Sequence, residues 1–381
     1  MTDKAKGSSG EPARTNHKTG TNWLMSGSPL PENGNPLHPS PVFASTFHLS
    51  GEPLPGVDFY GRNDNPTWRA VEAMLGDLEG GEALCFPSGM AAATAAIVPF
   101  VKTGDRVLIP SDGYHTVRWF VEHFLQPLGV QLETYPTAQL GDYSLADVSL
   151  LWIETPSNPG LDLCDIAAAV ARAGSTGTMV VCDNTTMTPL GQRCLDLGAD
   201  LVISADTKAV NGHADTLFGH VAGRKEDLMA RVRQWRTFSG SIPGPMDAWL
   251  MTRGLQTLEL RYEAMCRNAM AVATALQGHR KLEALRYPGL DNDPAARLAS
   301  TQMLTGGFLV TMTFGDGEAA DRFMSGLMDI HVATSFGGTQ STAETRHRWD
   351  STVNPGLVRL SCGIEPAHRI IEDLMRALDD V

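Results

Sequence analysis

Between Ala83 and about Arg224, short β-branched apolar runs alternate with helix-length connections, and this alternation constrains the fold more than any other feature of the 381 residues. The runs are Arg106-Val-Leu-Ile-Pro110, Ser149-Leu-Leu-Trp-Ile-Glu154, Met179-Val-Val-Cys182, Leu201-Val-Ile203 and His220-Val-Ala222, accompanied by helical patterns such as Ala91–Val98 and Thr116–Phe124. Apolar strands joined by crossovers of that length pair in parallel and need cover on both faces. The pattern therefore predicts an α/β fold with a large, mostly parallel sheet sandwiched by helices. Ligands in such sheets bind beyond the carboxyl ends of the strands. Glu154, Asp183 and Lys208 all fall there.

Before the sheet, Asn65 and Pro66 have the chemistry of a helix start, and Val71, Met74, Leu75 and Leu78 then form one apolar face. Near Asp247 the pattern changes. Met246–Gln277 contains no proline and carries Leu250, Leu255, Leu258 and Met265 at helical spacings, which predicts one long linking helix. Strands at Gly306–Phe314, Ile330–Ala333 and Leu357–Ser361, closed by a helix over Glu365–Leu378, predict a smaller C-terminal α+β domain. The expected division is an arm over 1–60, a large domain over 61–246, and a linking helix with the small domain over 247–381. The first 35 or so residues are rich in Gly, Ser, Pro, Asn and Lys and lack an apolar core, so they read as a flexible arm and not as a signal peptide.

Composition narrows the partners. A net charge of −13 argues against nucleic acid and anionic membranes, which select clustered basic surface. No run of about 18 apolar residues could span a bilayer. The six cysteines are scattered without a Cys-x-x-Cys pair and several sit in apolar runs, as reduced core thiols do. These features point to a soluble cytoplasmic protein acting on a small molecule.

Asp183 closes one apolar run, and Lys208 follows the next one 25 residues later. A lysine that bonds the aldehyde of pyridoxal phosphate, beside a carboxylate that keeps the pyridine nitrogen protonated, has this pattern. Alone the pair is unspecific, because strands often end in Asp and most lysines are solvated. Ser88-Gly89-Met90 opens the small-residue helix that follows, where free backbone N–H groups can receive an anion; an ordinary serine cap gives the same pattern. Tyr60 and Arg62 lie just outside the helix that begins at Pro66. Both can bind phosphate, and both suit a plain surface turn. Neither a G-x-G-x-x-G nor a G-x-x-x-x-G-K-[ST] loop is present. The His and Cys spacings suit no metal site, and His213 reads as structural.

Taken together the blocks resemble the Cys/Met metabolism family of pyridoxal-phosphate enzymes, of fold type I, from about Pro39 to Val381. They are Pro41–Phe47, Tyr60-x-Arg62-x-x-Asn-Pro-Thr67, Ser88-Gly-Met90, Glu154-Thr-Pro-Ser-Asn-Pro159, Asp183-Asn-Thr185, Thr207-Lys208 with Gly212-His213, Trp249–Leu258, Ser335-x-Gly-Gly338 and Val358–Glu365. The resemblance implies Lys208 as the cofactor-bearing and catalytic lysine, Asp183 as partner of the ring nitrogen, and Tyr114 as the residue stacked on the ring and moving protons. It implies cofactor contacts from Ser88, Gly89, Met90, Asn158, Thr185, Ser204 and Thr207, with Tyr60 and Arg62 reaching in from a neighbouring subunit. Arg359 and Ser335 would hold the substrate α-carboxylate, and His115, Thr116, Gln340 and the Phe43–Phe47 segment its distal end. It further implies a homo-oligomer, at least a dimer and by family a tetramer.

Three departures stand out. Ala205 occupies the position of the family's phosphate-binding serine, with a serine one residue earlier at 204. Gln340 replaces a glutamate. Glu344-Thr-Arg-His-Arg-Trp349 replaces a His-Pro-Ala-x-Met-Thr-His stretch, a compact version similar to actinobacterial cystathionine γ-lyases. The implied activities are cystathionine γ-lyase first, methionine γ-lyase second and cystathionine γ-synthase third.

Overall fold

Alternate residues of the large sheet face opposite ways, and each face finds its own helical cover. The computed structural model describes residues 23–54 and 56–381; the first 22 residues of the expected arm lie outside the described residues. Seven strands form the large sheet: β1 (Glu82–Phe86), β2 (Arg106–Pro110), β3 (Gln131–Tyr135), β4 (Val148–Glu154), β5 (Met179–Asp183), β6 (Leu201–Ser204) and β7 (Gly219–Gly223), in the order β1-β7-β6-β5-β4-β2-β3. Pairings from β3 through β6 are parallel, and β7 runs antiparallel to both β6 and β1. Leu84, Val107, Leu150, Trp152, Val181, Leu201 and Val221 pack on one face against the helix Gly89–Ile97. Cys85, Leu108, Leu151, Ile153, Val180, Cys182 and Val202 pack on the other against the helices Pro66–Glu79 and Ile166–Thr176. This is the sandwich that uninterrupted apolar strands require.

Local chemistry sets the element ends. Asn65 accepts a hydrogen bond from Thr67 N at 2.8 Å, Pro66 opens the helix, and Gly80 ends it at φ 76°. Val71, Met74, Leu75 and Leu78 are all buried. After Tyr114 the chain makes an α-helix over His115–Phe120 that continues as a π-helical turn, Val121–Leu125.

The linking helix differs from expectation, being two helices, Pro245–Leu255 and Leu258–Leu276. A Cβ at Gly254 would come within 2.8 Å of Asn211 O, so the first helix runs close against the loop after Lys208. Arg261 then fills the break, donating to Gly254 O at 2.8 Å and to Ala209 O and Val210 O at 2.8 and 3.0 Å. The Gly254 carbonyl at the break is thereby satisfied, and the same guanidinium pins the lysine loop.

The second sheet has five strands, β8 (Ala284–Arg286), β9 (Leu309–Thr313), β10 (His331–Val332), β11 (Thr342–Thr345) and β12 (Leu357–Ser361), in the order β10-β11-β12-β9-β8. Its apolar residues pack with Val272 and Leu276, with Phe323 of the helix Gly317–Gly326, and with Ile370, Leu374 and Leu378 of the helix Ala367–Asp379. All six cysteines are buried free thiols. Among the described residues no helix is long and apolar enough to cross a membrane.

Candidate active site

The carboxyl ends of β4, β5 and β6 bring the key side chains to one place. Glu154 and Asp183 are neighbours in register, as are Asp183 and Ile203. Beyond β6 the chain turns through Ala205–Lys208. Thr185 ties the two strand ends together: its Oγ1 donates to Asp183 at 2.5 Å and accepts from Ala205 N at 2.9 Å. A cavity of ≈ 340 Å³ opens there, lined by Ser88, Gly89, Met90, Tyr114, Glu154, Asn158, Asp183, Thr185, Ala205, Thr207, Lys208, Ser335, Phe336, Arg346 and Arg359, among others.

Lys208 Nζ donates to Ser335 Oγ at 2.7 Å and lies 4.9 Å from the centre of the Phe336 ring. Burial, helped by the Arg359 charge, lowers its ammonium from the usual lysine range to about 8. Ser335 holds a left-handed backbone at φ 79°, unusual for a residue with a side chain. Next to it Gly337, also at φ 79°, lies so close to Ala209 N that an added Cβ would stand 2.5 Å away. The segment from the second domain is thus pressed onto the lysine loop.

Burial raises the Asp183 carboxyl to about 6, against the hydrogen bonds from Thr185 and the Lys208 charge, which favour ionisation. Burial and then the Asp183 charge push the Glu154 carboxyl well above its ordinary range. Glu154 also accepts from Tyr114 N at 2.6 Å and Asn158 N at 3.1 Å, setting the start of the Tyr114 helix against β4. Tyr114 is 38% exposed at the cavity mouth. Arg359 of β12 is fully engaged on one side, donating to Asn158 Oδ1 at 2.5 Å, Ser335 O at 2.9 Å and Glu344 at 2.7 Å. Asn158 accepts through Oδ1, and its Nδ2 makes no hydrogen bond among the described residues.

The helix start at Ser88 combines both readings made of it. Ser88 Oγ caps Ala91 N at 3.1 Å, and the residue also lines the cavity. The N–H groups of Gly89 and Met90 have no acceptor among the described residues. A Cβ on Gly89 would overlap Ala205, so only glycine lets this helix end approach. Thr207 lines the cavity while its Oγ1 bonds both N and O of Phe218, at 2.9 and 3.2 Å.

Ser204, Thr116 and Gln340 do not line this cavity. Among the described residues Ser204 Oγ has no partner; it is buried on the other side of β6, because Ile203 and Ala205 take the cavity side. Thr116 lines a separate groove with Trp119, Phe120 and Phe124, and Gln340 is exposed. Tyr60 and Arg62 lie outside this chain's own cavity: Tyr60 is 41% exposed, and Arg62 donates to Thr237 O at 2.7 Å. The cavity residues that were not anticipated include Phe336 and Arg346, with the buried Glu344 beside them. The one sequence signal for Glu344 and Arg346 was the departure of the Glu344–Trp349 segment from the family pattern.

An anion-ready helix start, a buried carboxylate and a lysine of lowered basicity around one cavity fit pyridoxal phosphate in charge and donor set. Fold and site define a pyridoxal-phosphate-dependent enzyme of fold type I. A family model described as Cys/Met metabolism PLP-dependent enzyme matches residues 35–379. A Streptomyces coelicolor protein with the provisional name cystathionine gamma-lyase is 45% identical over 386 residues, covering 100% of this chain and 98% of the relative. L-methionine gamma-lyase of Treponema denticola is 37% identical over 339 residues, with 84% of each chain covered. The crystal structure of a cystathionine gamma lyase from Micromonospora echinospora superposes with a TM-score of 0.88 at 32% identity, covering 94% of this chain and 98% of that one. The chain belongs to the Cys/Met metabolism family of pyridoxal-phosphate-dependent enzymes, so its cofactor is pyridoxal phosphate and its class is carbon–sulfur lyase.

Proposed function

We propose that the enzyme carries out γ-elimination on cystathionine, yielding cysteine, 2-oxobutyrate and ammonia. The observation that carries this reading is the gathering of Lys208, Asp183, Tyr114 and Arg359 around a single cavity. Bound pyridoxal phosphate supplies an electron sink for negative charge developing at the substrate Cα. Gly89 and Met90 N–H would hold its phosphate, Asp183 its ring nitrogen and Asn158 Nδ2 its ring oxygen. Arg359 anchors the substrate α-carboxylate with its remaining donors. Lys208 Nζ, with a neutral fraction at physiological pH that an ordinary lysine lacks, takes the Cα proton and serves the following proton movement at Cβ. The Tyr114 hydroxyl, at the mouth, protonates the departing thiolate.

Tyr60 and Arg62, exposed on their own subunit, complete the phosphate site of a second subunit, making the enzyme at least a dimer and, by family, a tetramer. Relatives support the choice of substrate: the one 45% identical carries the name cystathionine gamma-lyase provisionally, and one from Bacillus subtilis, 34% identical, carries it outright. Methionine γ-lyase is the second reading, favoured by the Treponema denticola relative, and γ-synthase the third. The test compares kcat/KM for cystathionine, methionine, and O-succinylhomoserine with cysteine. The expected order puts cystathionine first by at least tenfold, about 1.4 kcal/mol of transition-state discrimination. A tenfold preference for methionine, or cystathionine formation outrunning 2-oxobutyrate release, defeats it.

A further inference from the structure

The segment that departs from the family pattern folds around one carboxylate. Glu344 on β11 stands opposite Arg359 on β12. It accepts from Arg359 Nη2 at 2.7 Å, from Trp349 Nε1 at 2.8 Å and from Arg346 Nη1 at 3.3 Å. Arg346 is only 11% exposed, yet its Nε is buried without a partner and its Nη2 makes no hydrogen bond among the described residues. Nε and Nη2 form the side-on edge of a guanidinium, the edge that receives both oxygens of a carboxylate in parallel. An unpaired charged donor in such a place is costly unless a ligand arrives to satisfy it.

Position identifies the ligand. Arg346 lines the Lys208 cavity and also an adjoining one of ≈ 450 Å³, and Asn158 borders both. The second cavity has none of the Ser88, Gly89, Met90 and Thr207 lining, so Arg346 also borders space beyond the phosphate cradle. Other charged groups there already have partners: Arg118 bonds Asp350 at 3.0 Å and Ser111 O at 2.5 Å, and Asp112 accepts from Thr137 N and Oγ1 at 2.9 and 2.8 Å. Burial, with the Arg346 charge next, lowers the His115 imidazole below its ordinary value, which keeps it neutral at physiological pH.

We infer that Arg346 is a specificity-determining residue that takes a second carboxylate, carried on the far arm of a thioether amino acid. This rests on the proposed lyase reading for its substrate class. Cystathionine has such an arm. Methionine ends in a methyl group there and would leave the guanidinium edge unpaired, the kind of mismatch that polar sites reject strongly.

The test uses two homocysteine thioethers of equal length, S-(2-carboxyethyl)homocysteine and S-propylhomocysteine, titrated calorimetrically into Lys208→Ala protein reconstituted with pyridoxal phosphate. The carboxylated ligand should bind at least ten times more tightly than the propyl one. Adding Arg346→Gln should reduce that ratio below three, and Arg346→Lys, which keeps the charge but loses the fork, should leave it between the two. An unchanged ratio in Arg346→Gln overturns the inference. Should Arg346→Gln lose both ligands, the Arg346→Lys protein decides, and a ratio equal to the parent's overturns the inference. Lack of 2-oxo acid from every sulfur amino acid with the unaltered holoenzyme would sink the lyase reading and leave the binding ratio standing.

Discussion

Lys208 acts through its free amine, and its surroundings set when that amine is available. Attachment of the cofactor aldehyde needs the neutral form, and burial lowers the group to about 8. The rate of cofactor incorporation into apoprotein, followed by the growth of visible absorbance, should therefore rise with pH through about 8 and level off above it. A rise continuing beyond pH 10 would assign Lys208 ordinary basicity. Asp183→Asn removes the charge proposed to face the ring nitrogen, and turnover should fall by about 10²–10³, as when a preorganised electrostatic group is removed. Lys208 and Asp183 were legible in the sequence because each follows an apolar run whose end the sheet must place at one edge. Ser204 illustrates the limit. A phosphate-binding role for it required the cavity face of β6, but side-chain alternation gives that face to Ile203 and Ala205. Thr116 and Gln340 were not legible because their positions depend on how a helix start and a loop are set in three dimensions.

At the scale of elements, β7 inserts antiparallel between β1 and β6 and buries His220 beneath the lysine loop. Its Nδ1 lies 2.8 Å from Asp206 Oδ2 and its Nε2 3.1 Å from Glu79 Oε1. Burial opposes the charged imidazole, but the two carboxylates outweigh it and push the group up to about 10. Since Asp206 is two residues from Lys208, this buried trio fixes the loop that carries the amine. A raised folded-state value means that the His220 contribution is full below about pH 6.5 and is lost as pH climbs towards 10. His220→Asn should destabilise the protein by about 3–5 kcal/mol, the usual result of leaving buried carboxylates without their cation. Denaturant unfolding at pH 6 and pH 10 checks both points: the difference between parent and variant should shrink at the higher pH, and an equal difference would mean that His220 carries no charge. The edge strand β3 went unread because Gln131-Leu-Glu-Thr-Tyr lacks the continuous apolar run of strands buried on both faces, whereas β1 has such a run, Ala83-Leu-Cys-Phe86, only four residues long. The break at Gln256-Thr257 escaped periodicity for a different reason: it sits where Gly254 and Arg261 meet the lysine loop, a contact from a distant part of the chain.

Across the whole molecule, the segment before the first long helix leaves Leu24, Met25, Leu30, Leu37, Phe43, Leu49, Leu54 and Val57 exposed, next to Tyr60 and Arg62. So much apolar surface on one segment suits a second subunit as its cover. If Arg62 serves a neighbouring site, Arg62→Ala and Lys208→Ala proteins, each nearly inactive alone, should regain activity when co-assembled, with up to about a quarter of parental sites restored. Mixed assemblies that stay inactive would place Arg62 outside the neighbour's site. The doubly covered sheet and its functional edge were legible because they follow from strand composition. The pressing of Ser335–Gly337 onto the lysine loop was not, since it depends on how the second sheet meets the first. The central claim is that Lys208, facing Asp183 at that edge, bears the cofactor. Borohydride reduction of the holoenzyme followed by peptide mapping tests it most directly. One reduced pyridoxyl phosphate group per subunit, on the peptide containing Lys208, is the predicted result; a colourless protein without a lysine adduct, or an adduct on another lysine, would contradict it.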